Sequence, residues 1–388
     1  MKLLSNDRKI ENRTSGVELL KVIAIFLVML CHVVSTLGTN AIDIVGFNDY
    51  FINIALPSKN VQHVVLGIAC YSGIMGNALF FISSAWYLLD KKKTNVQKIF
   101  RMFCEIFIIS LFWLIVTLLF TNFKLSDWYI RLSLMPTKYC NNWYLTVYMI
   151  FSFIFPFLNI VIKNINQRQH LVLSIFVFIC YVFLPFKGGF PFTNELILWI
   201  ALYMIIGYFK FYGMKICDNL KLNRIVLVLA IAIQLFLIIK ANVFYLRGLD
   251  SKHLHTWLSN YNVFLYIIAF AAVNIYRNKK FKSSIINYLA SFSMLVYIIH
   301  ENILFRTFYR PHIWQWIYLN FNYDYILLWA LLFVIVLFIL TYLVSIFYSL
   351  FLQRFIYEVI NEIYYGLKKL GTMILNLLTR VLHQKELE

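Results

Sequence analysis

Residues 16–32 read Gly16-Val-Glu18-Leu-Leu-Lys21-Val-Ile-Ala-Ile-Phe-Leu-Val-Met-Leu-Cys-His32. The run is apolar and long enough to cross a bilayer, and it shows no period-2 alternation, so it predicts a transmembrane helix rather than a barrel strand. Within it lie an acid, a base and an imidazole. Lys21 and His32 are eleven residues apart, which at about 100° per residue returns almost to one face, roughly 16 Å further along the axis. Glu18 precedes Lys21 by three residues and can pair with it on that face. An ionisable group costs about 2.5–3.5 kcal/mol at the centre of a span on insertion scales, so an aligned stripe of three marks a candidate functional site. The alternative is that Glu18 and Lys21 snorkel to the interface while His32 bonds to a neighbouring helix.

The rest of the chain repeats the apolar pattern. Of 388 residues, 62% are hydrophobic and 13% charged, against about 45–50% and about 25% in soluble domains. Apolar spans are expected near 17–37, 63–89, 100–122, 143–163, 170–186, 196–214, 225–245, 262–278, 287–307 and 325–352. The prediction is therefore an all-α, polytopic membrane protein of about ten transmembrane helices. Three glycines, Gly67, Gly73 and Gly76, predict a bend or break in the second span. Residues 1–16 form a short polar segment, 17–352 the membrane domain and 353–388 an amphipathic tail suited to the inner interface, bent at Gly366 or Gly371.

The net charge of +18 would suggest nucleic acid in a soluble protein; here it reads as topology, and no nucleic-acid partner is expected. With the N-terminus inside, 24 Lys and Arg fall in inner segments and nine in outer ones, which puts both termini in the cytoplasm. The first span reads as an uncleaved helix. The Lys91–Lys93 run fits a stop signal at a helix end. The six cysteines show no CxxC or His/Cys spacing, so neither disulfides nor a metal site is implied.

Three further clusters stand out. Lys98 and Arg101, three apart at the start of span three, share a face and suit phosphate binding, with topology as the plainer reading and Glu105 one turn on as a pairing partner for Arg101. Asn141-Asn142-Trp143-Tyr144 opens span four; the aromatic pair fits an interfacial anchor or a sugar-stacking platform. Tyr297-Ile-Ile-His300-Glu301-Asn302, followed by Arg306, is unusually polar for a lipid-facing helix end.

These residues carry a resemblance. The chain resembles the membrane-bound acyltransferase-3 family of bacterial O-acyltransferases. Lys21-X10-His32 resembles the family's Arg/Lys-X10-His opening, with Glu18 at its acidic position. Phe80-Phe-Ile-Ser-Ser-Ala85 resembles its FFxxSG segment, with Ala85 replacing Gly. Lys98-Ile-Phe-Arg101 resembles its basic pair. Asn142-Trp143-Tyr144-Leu145 and Ser293–His300 resemble later segments. The likeness covers about residues 13–350. It implies transfer of an acyl group, acetyl by family habit, from cytosolic acetyl-CoA to a glycan hydroxyl across a bacterial cell membrane. By that resemblance His32, Lys21 and Glu18 are the expected catalytic group, and Lys98 and Arg101 the expected donor-binding pair. Trp143, Tyr144, His300 and Asn302 are the expected acceptor residues. The implied partners are a cell-surface or lipid-linked glycan, the bilayer and glycan-synthesis proteins; acetyl-CoA is a donor substrate, and no permanently bound cofactor or metal is implied. Two features depart from the family: Lys21 replaces the commoner Arg, and no esterase-like soluble domain is appended. A glycan carrier would also account for many helices with buried polar residues, but paired broken helices in two halves are not seen in the sequence.

Overall fold

The computed structural model describes residues 14–35, 60–139, 141–180, 195–247, 262–321 and 325–385. Among them every regular element is helical. In chain order these are α1 (Ser15–Ser35), α2 (Asn60–Leu88), α3 (Val96–Phe120), α4 (Asp127–Leu134), α5 (Trp143–Asn164), α6 (Gln167–Phe178), α7 (Glu195–Tyr212) and α8 (Met214–Asp218). There follow α9 (Leu220–Leu246), α10 (Val263–Arg277), α11 (Ser284–Ser291), α12 (Ser293–His300), a π-helical turn (Phe305–Tyr309), α13 (Arg310–Asn320), α14 (Ile326–Phe351) and α15 (Gln353–Lys385).

Seven of the described helices are long and apolar enough to cross a membrane: α1, α2, α3, α5, α7, α9 and α14. α10, with 15 residues, is shorter. The protein is an all-α polytopic membrane protein. Its outward faces are apolar, with Phe112, Leu118, Leu331 and Phe347 all exposed, as lipid contact requires.

α1 is the hub, packing against α2, α10, α11, α12 and α14. Its first residue is fixed by polar contacts: Ser15 Oγ donates to Asn287 Oδ1 (2.8 Å) and accepts from Ser283 N (2.7 Å). The predicted break in the second span is absent. α2 is continuous over 29 residues, and its glycines serve packing instead. A Cβ on Gly76 would lie 2.5 Å from the Ala24 carbonyl oxygen, and one on Gly73 would lie 2.7 Å from Cys31 Cβ. The two helices run antiparallel at backbone contact, the small-residue mode of membrane helix pairs. Ser72 Oγ adds a bond to the Leu27 carbonyl (2.7 Å).

The predicted span 287–307 is divided. α11 ends at Ser291, and α12 ends at His300, where Glu301 takes a non-helical φ of −106° and ψ of 14°. The chain then turns into the π-helical segment, which brings Glu301 and two downstream arginines together. The tail is a single helix through both Gly366 and Gly371.

At the end of the bundle where α1 begins, ion pairs tie the helices together. Lys210 Nζ meets Asp90 Oδ2 (2.6 Å) and Arg277 Nη2 meets Asp218 Oδ1 (2.5 Å). Both cations also lie over the Trp86 ring, at 5.2 and 4.4 Å. Lys91, Lys92 and Lys93 are exposed beside them.

Candidate active site

The described part of α1 ends at Ser35. In its last turn the His32 carbonyl accepts from Ser35 Oγ (3.2 Å), and α13 supplies further donors. Arg310 Nη1 donates to the His32 carbonyl (3.0 Å), and Trp314 Nε1, one turn on, donates to the Val33 carbonyl (2.9 Å). Arg310 Nη2 also reaches the His300 carbonyl (2.5 Å), at the end of α12, and Glu301 Oε2 (3.0 Å). One buried guanidinium thus joins the last described turn of α1 to the C-terminus of α12, where the dipole favours a cation, and pairs with a carboxylate.

Glu301 is 5% exposed and fully engaged. Oε1 accepts from Arg306 Nη1 (3.1 Å). Oε2 accepts from Arg310 and lies 2.7 Å from His32 Nδ1. Beside it, His32 Nδ1 is 3.4 Å from His300 Nε2, and the rings are 5.6 Å apart. His300 Nδ1 lies 2.6 Å from the Val296 carbonyl. A carbonyl only accepts, so His300 carries its proton on Nδ1 and presents the lone pair of Nε2. His32 Nδ1 therefore faces two acceptors, the Glu301 carboxylate and His300 Nε2, and must itself be protonated. That places the basic lone pair of His32 on Nε2. A buried carboxylate that holds an imidazole in one tautomer is the arrangement used for general-base catalysis.

His32, His300 and Glu301 bring three ligand-type atoms within 4.8 Å of one another. Arg306 and Arg310 already engage both Glu301 oxygens, so a divalent cation would join two guanidinium charges at one carboxylate. The donor set fits proton transfer better than metal binding.

Toward the α1 N-terminus from this cluster lies a cavity of about 190 Å³. Its wall includes Lys21, Asn77, Phe80, Ser84, Lys98, Tyr144, Tyr148, Ser293 and Tyr297. Lys21 and Lys98 mark the basic end. Tyr297 stands one turn before His300, and their rings are 5.8 Å apart. The eleven residues from Lys21 to His32 run along one unbroken helix, so the two lie roughly 16 Å apart along its axis.

The nine residues singled out in the sequence do not all converge. Glu18 accepts from Lys21 Nζ through both oxygens (3.1 and 3.2 Å). Lys98 lines the cavity, but Arg101 turns away: its Nε donates to Asn361 Oδ1 of α15 (2.9 Å), and its guanidinium stacks 5.0 Å from the Tyr357 ring. Glu105, expected beside Arg101, accepts from Gln353 Nε2 (2.9 Å). Tyr144 lines the cavity, whereas Trp143 packs at its edge against the core, 5.7 Å from the Tyr144 ring. His300 is fully buried against His32. Asn302 is buried and accepts from Leu304 N (3.0 Å), starting the turn that precedes the arginines.

Residues 14–350 match the acyltransferase-3 family, described as an acyltransferase domain. The chain belongs to this family. Neither a curated protein nor a solved structure matches it significantly. The matched region of this acyltransferase holds the cavity and the His32–Glu301 cluster, and it ends one residue before α14 does. α15 lies wholly beyond it.

Two residues of the acyltransferase cluster escaped sequence reading as site residues. Glu301 was visible only as part of a polar cluster. Arg310 is one of the nine Lys and Arg that the sequence assigns to outer segments; it is 2% exposed. Its one sequence signal is the i, i+4 spacing from Arg306 close after a lone acid.

Proposed function

We propose that this acyltransferase moves an acyl group, acetyl by expectation, from acyl-CoA to a hydroxyl of an extracytoplasmic or lipid-linked polysaccharide. The observation that carries the proposal is His32 Nδ1 held between Glu301 and His300, one turn from Tyr297, which lines a cavity that also holds Lys21 and Lys98. The basic end faces the cytoplasm in this reading. There Lys21 and Lys98 meet the CoA phosphates as point charges. The pantetheine arm extends through the cavity, past Tyr148 and Tyr144, and the thioester reaches the level of Tyr297 and His32.

The chemistry is acyl transfer. His32 Nε2 accepts the proton of the acceptor hydroxyl as its oxygen attacks the thioester carbonyl. The C–S bond breaks, the new ester C–O bond remains, and the imidazolium returns the proton to the departing CoA thiolate. Glu301 stabilises the transient imidazolium through Nδ1–H. Arg310 holds His32 and His300 through their backbone carbonyls and Glu301 through its carboxylate. A covalent acyl-histidine route uses the same Nε2 atom.

The test is purified protein in nanodiscs with radiolabelled acetyl-CoA and candidate glycans. Label transferred to glycan, or held on the protein, supports the proposal. Movement of glycan with no acyl transfer would instead identify a carrier.

A further inference from the structure

α15 runs 33 residues, Gln353–Lys385, beyond the family-matched region. Its two parts differ. The first, residues 353–365, is tied to α3: Asn361 Oδ1 accepts from Arg101 Nε and from Gln97 Nε2 (3.0 Å), Gln353 donates to Glu105, and the Tyr364 ring lies 5.6 Å from Phe100. In the second, residues 366–385, the sequence holds Lys368, Lys369, Arg380 and Lys385 and no Asp or Glu.

Projected at about 100° per residue, the apolar residues of α15 fill an arc of roughly 200°. Part of that arc covers α3. The remainder is open: Phe355, Ile363, Leu367, Leu370, Met373 and Ile374 are each about half exposed or more. A helix-pairing seam is a narrow stripe at coiled-coil spacing. A wide apolar arc flanked by basic residues on a long helix of low overall hydrophobicity is the signature of a helix lying in a lipid interface. The position agrees. α14 is a membrane span, Leu352 alone separates it from α15, and so α15 begins where the chain leaves the bilayer. That end also carries the start of α1 and of α3.

We propose that residues 366–385 of α15 are a docking surface for an anionic lipid leaflet. Their apolar arc enters the acyl boundary and Lys368 and Lys369 reach the headgroup phosphates. From that seat residues 353–365 hold α3 through Asn361 and Gln353, at the helix whose Lys98 lines the cavity. This proposal stands independently of the acyl-transfer reading.

The experiment uses the full chain in nanodiscs of phosphatidylcholine alone or mixed with phosphatidylglycerol. A nitroxide is attached through a genetically encoded ketone residue replacing Leu370 or Ile374 on the apolar arc, or Glu358 or Asn376 on the polar one. Power saturation then compares collision with oxygen, which partitions into lipid, and with a water-soluble nickel chelate. The expected result is a severalfold higher oxygen-to-nickel ratio at 370 and 374 than at 358 and 376 in the mixed lipid. In phosphatidylcholine alone, and in the K368E/K369E variant, that contrast shrinks severalfold. Equal nickel access on both faces overturns the proposal, as does a contrast indifferent to lipid charge. Shielding of 370 and 374 from both reagents, with dipolar broadening between copies, also overturns it and assigns the face to a second copy.

Discussion

Arg310 Nη1 donates to the carbonyl of His32, 278 residues earlier in the chain, at 3.0 Å, while Arg310 Nη2 pairs with the Glu301 oxygen that faces the same histidine's ring. One side chain therefore fixes both the backbone and the ring partner of His32. The angle between imidazole and carboxylate is set by a rigid fork rather than by two flexible loops.

Arg310→Lys tests that fork. Lysine keeps the charge but cannot reach two carbonyls and a carboxylate in the same plane. The expected cost is about 1.5–3 kcal/mol for lost charged hydrogen bonds, read as a lower melting temperature in detergent. Arg310→Met leaves Glu301 buried beside His32 with Arg306 as its remaining cation, and the expected loss rises to about 3–5 kcal/mol. A thermally neutral Lys variant would show that the fork is dispensable.

His32→Gln is expected to insert and fold normally, because His32 lies in a helix whose packing is carried by Ala24, Ile25, Val28 and Met29. Its acyl transfer should fall by about 10²–10⁴-fold, the usual contribution of a general base. Labelled-acetate incorporation into glycan, normalised to membrane-inserted protein, measures it.

Glu301→Gln keeps the volume and can still accept at Nδ1–H, but it removes the charge that stabilises the imidazolium. A loss of about 10²-fold or more in kcat, with little change in donor KM, is expected. A change confined to KM would place Glu301 in binding rather than in chemistry.

Lys98 and Arg101 should now separate. Lys98→Met and Lys21→Met are expected to raise the KM for acyl-CoA about tenfold each, or about 1.4 kcal/mol, with kcat retained. Arg101→Met should change KM much less, since its guanidinium is engaged with Asn361 and Tyr357. Equal effects at 98 and 101 would return both to the donor site.

Gly76→Leu places a side chain where a Cβ alone meets the Ala24 carbonyl. Overpacking of about 1–3 kcal/mol is expected, together with reduced activity as α1 and α2 separate. Gly366→Leu is the control: nothing lies within 4 Å of a Cβ there, and stability should hold or rise by up to about 1 kcal/mol, the gain in helix propensity. Unfolding curves of the two variants in the same detergent make the comparison.

Particular residues show where sequence reading ended. The Glu18–Lys21 pair was legible because both residues lie within one helical turn, and local spacing alone sets their distance. The two lysines of the cavity were legible for the same reason, each from its own helix start. The separation of Lys98 from Arg101 was not, because it depends on a tail helix more than 250 residues away docking on one side of α3. The glycines of α2 signalled a special backbone, but the same lack of a Cβ permits either a bend or a close approach, and only the position of α1 selects between them.

The sequence by itself determined the solvent of this protein and much of its local order. An apolar excess must face lipid, helices or closed barrels satisfy the backbone there and the missing period-2 alternation leaves helices, and charges within spans mark a site. Which charges meet was decided only in three dimensions. Local spacing governs contacts within a turn or two, whereas His32, His300, Glu301 and Arg310 come together through the packing of α1, α12 and α13. Arg310 ties that packing together, because a rigid fork with five donors can serve the His32 carbonyl, the His300 carbonyl and the Glu301 carboxylate at once.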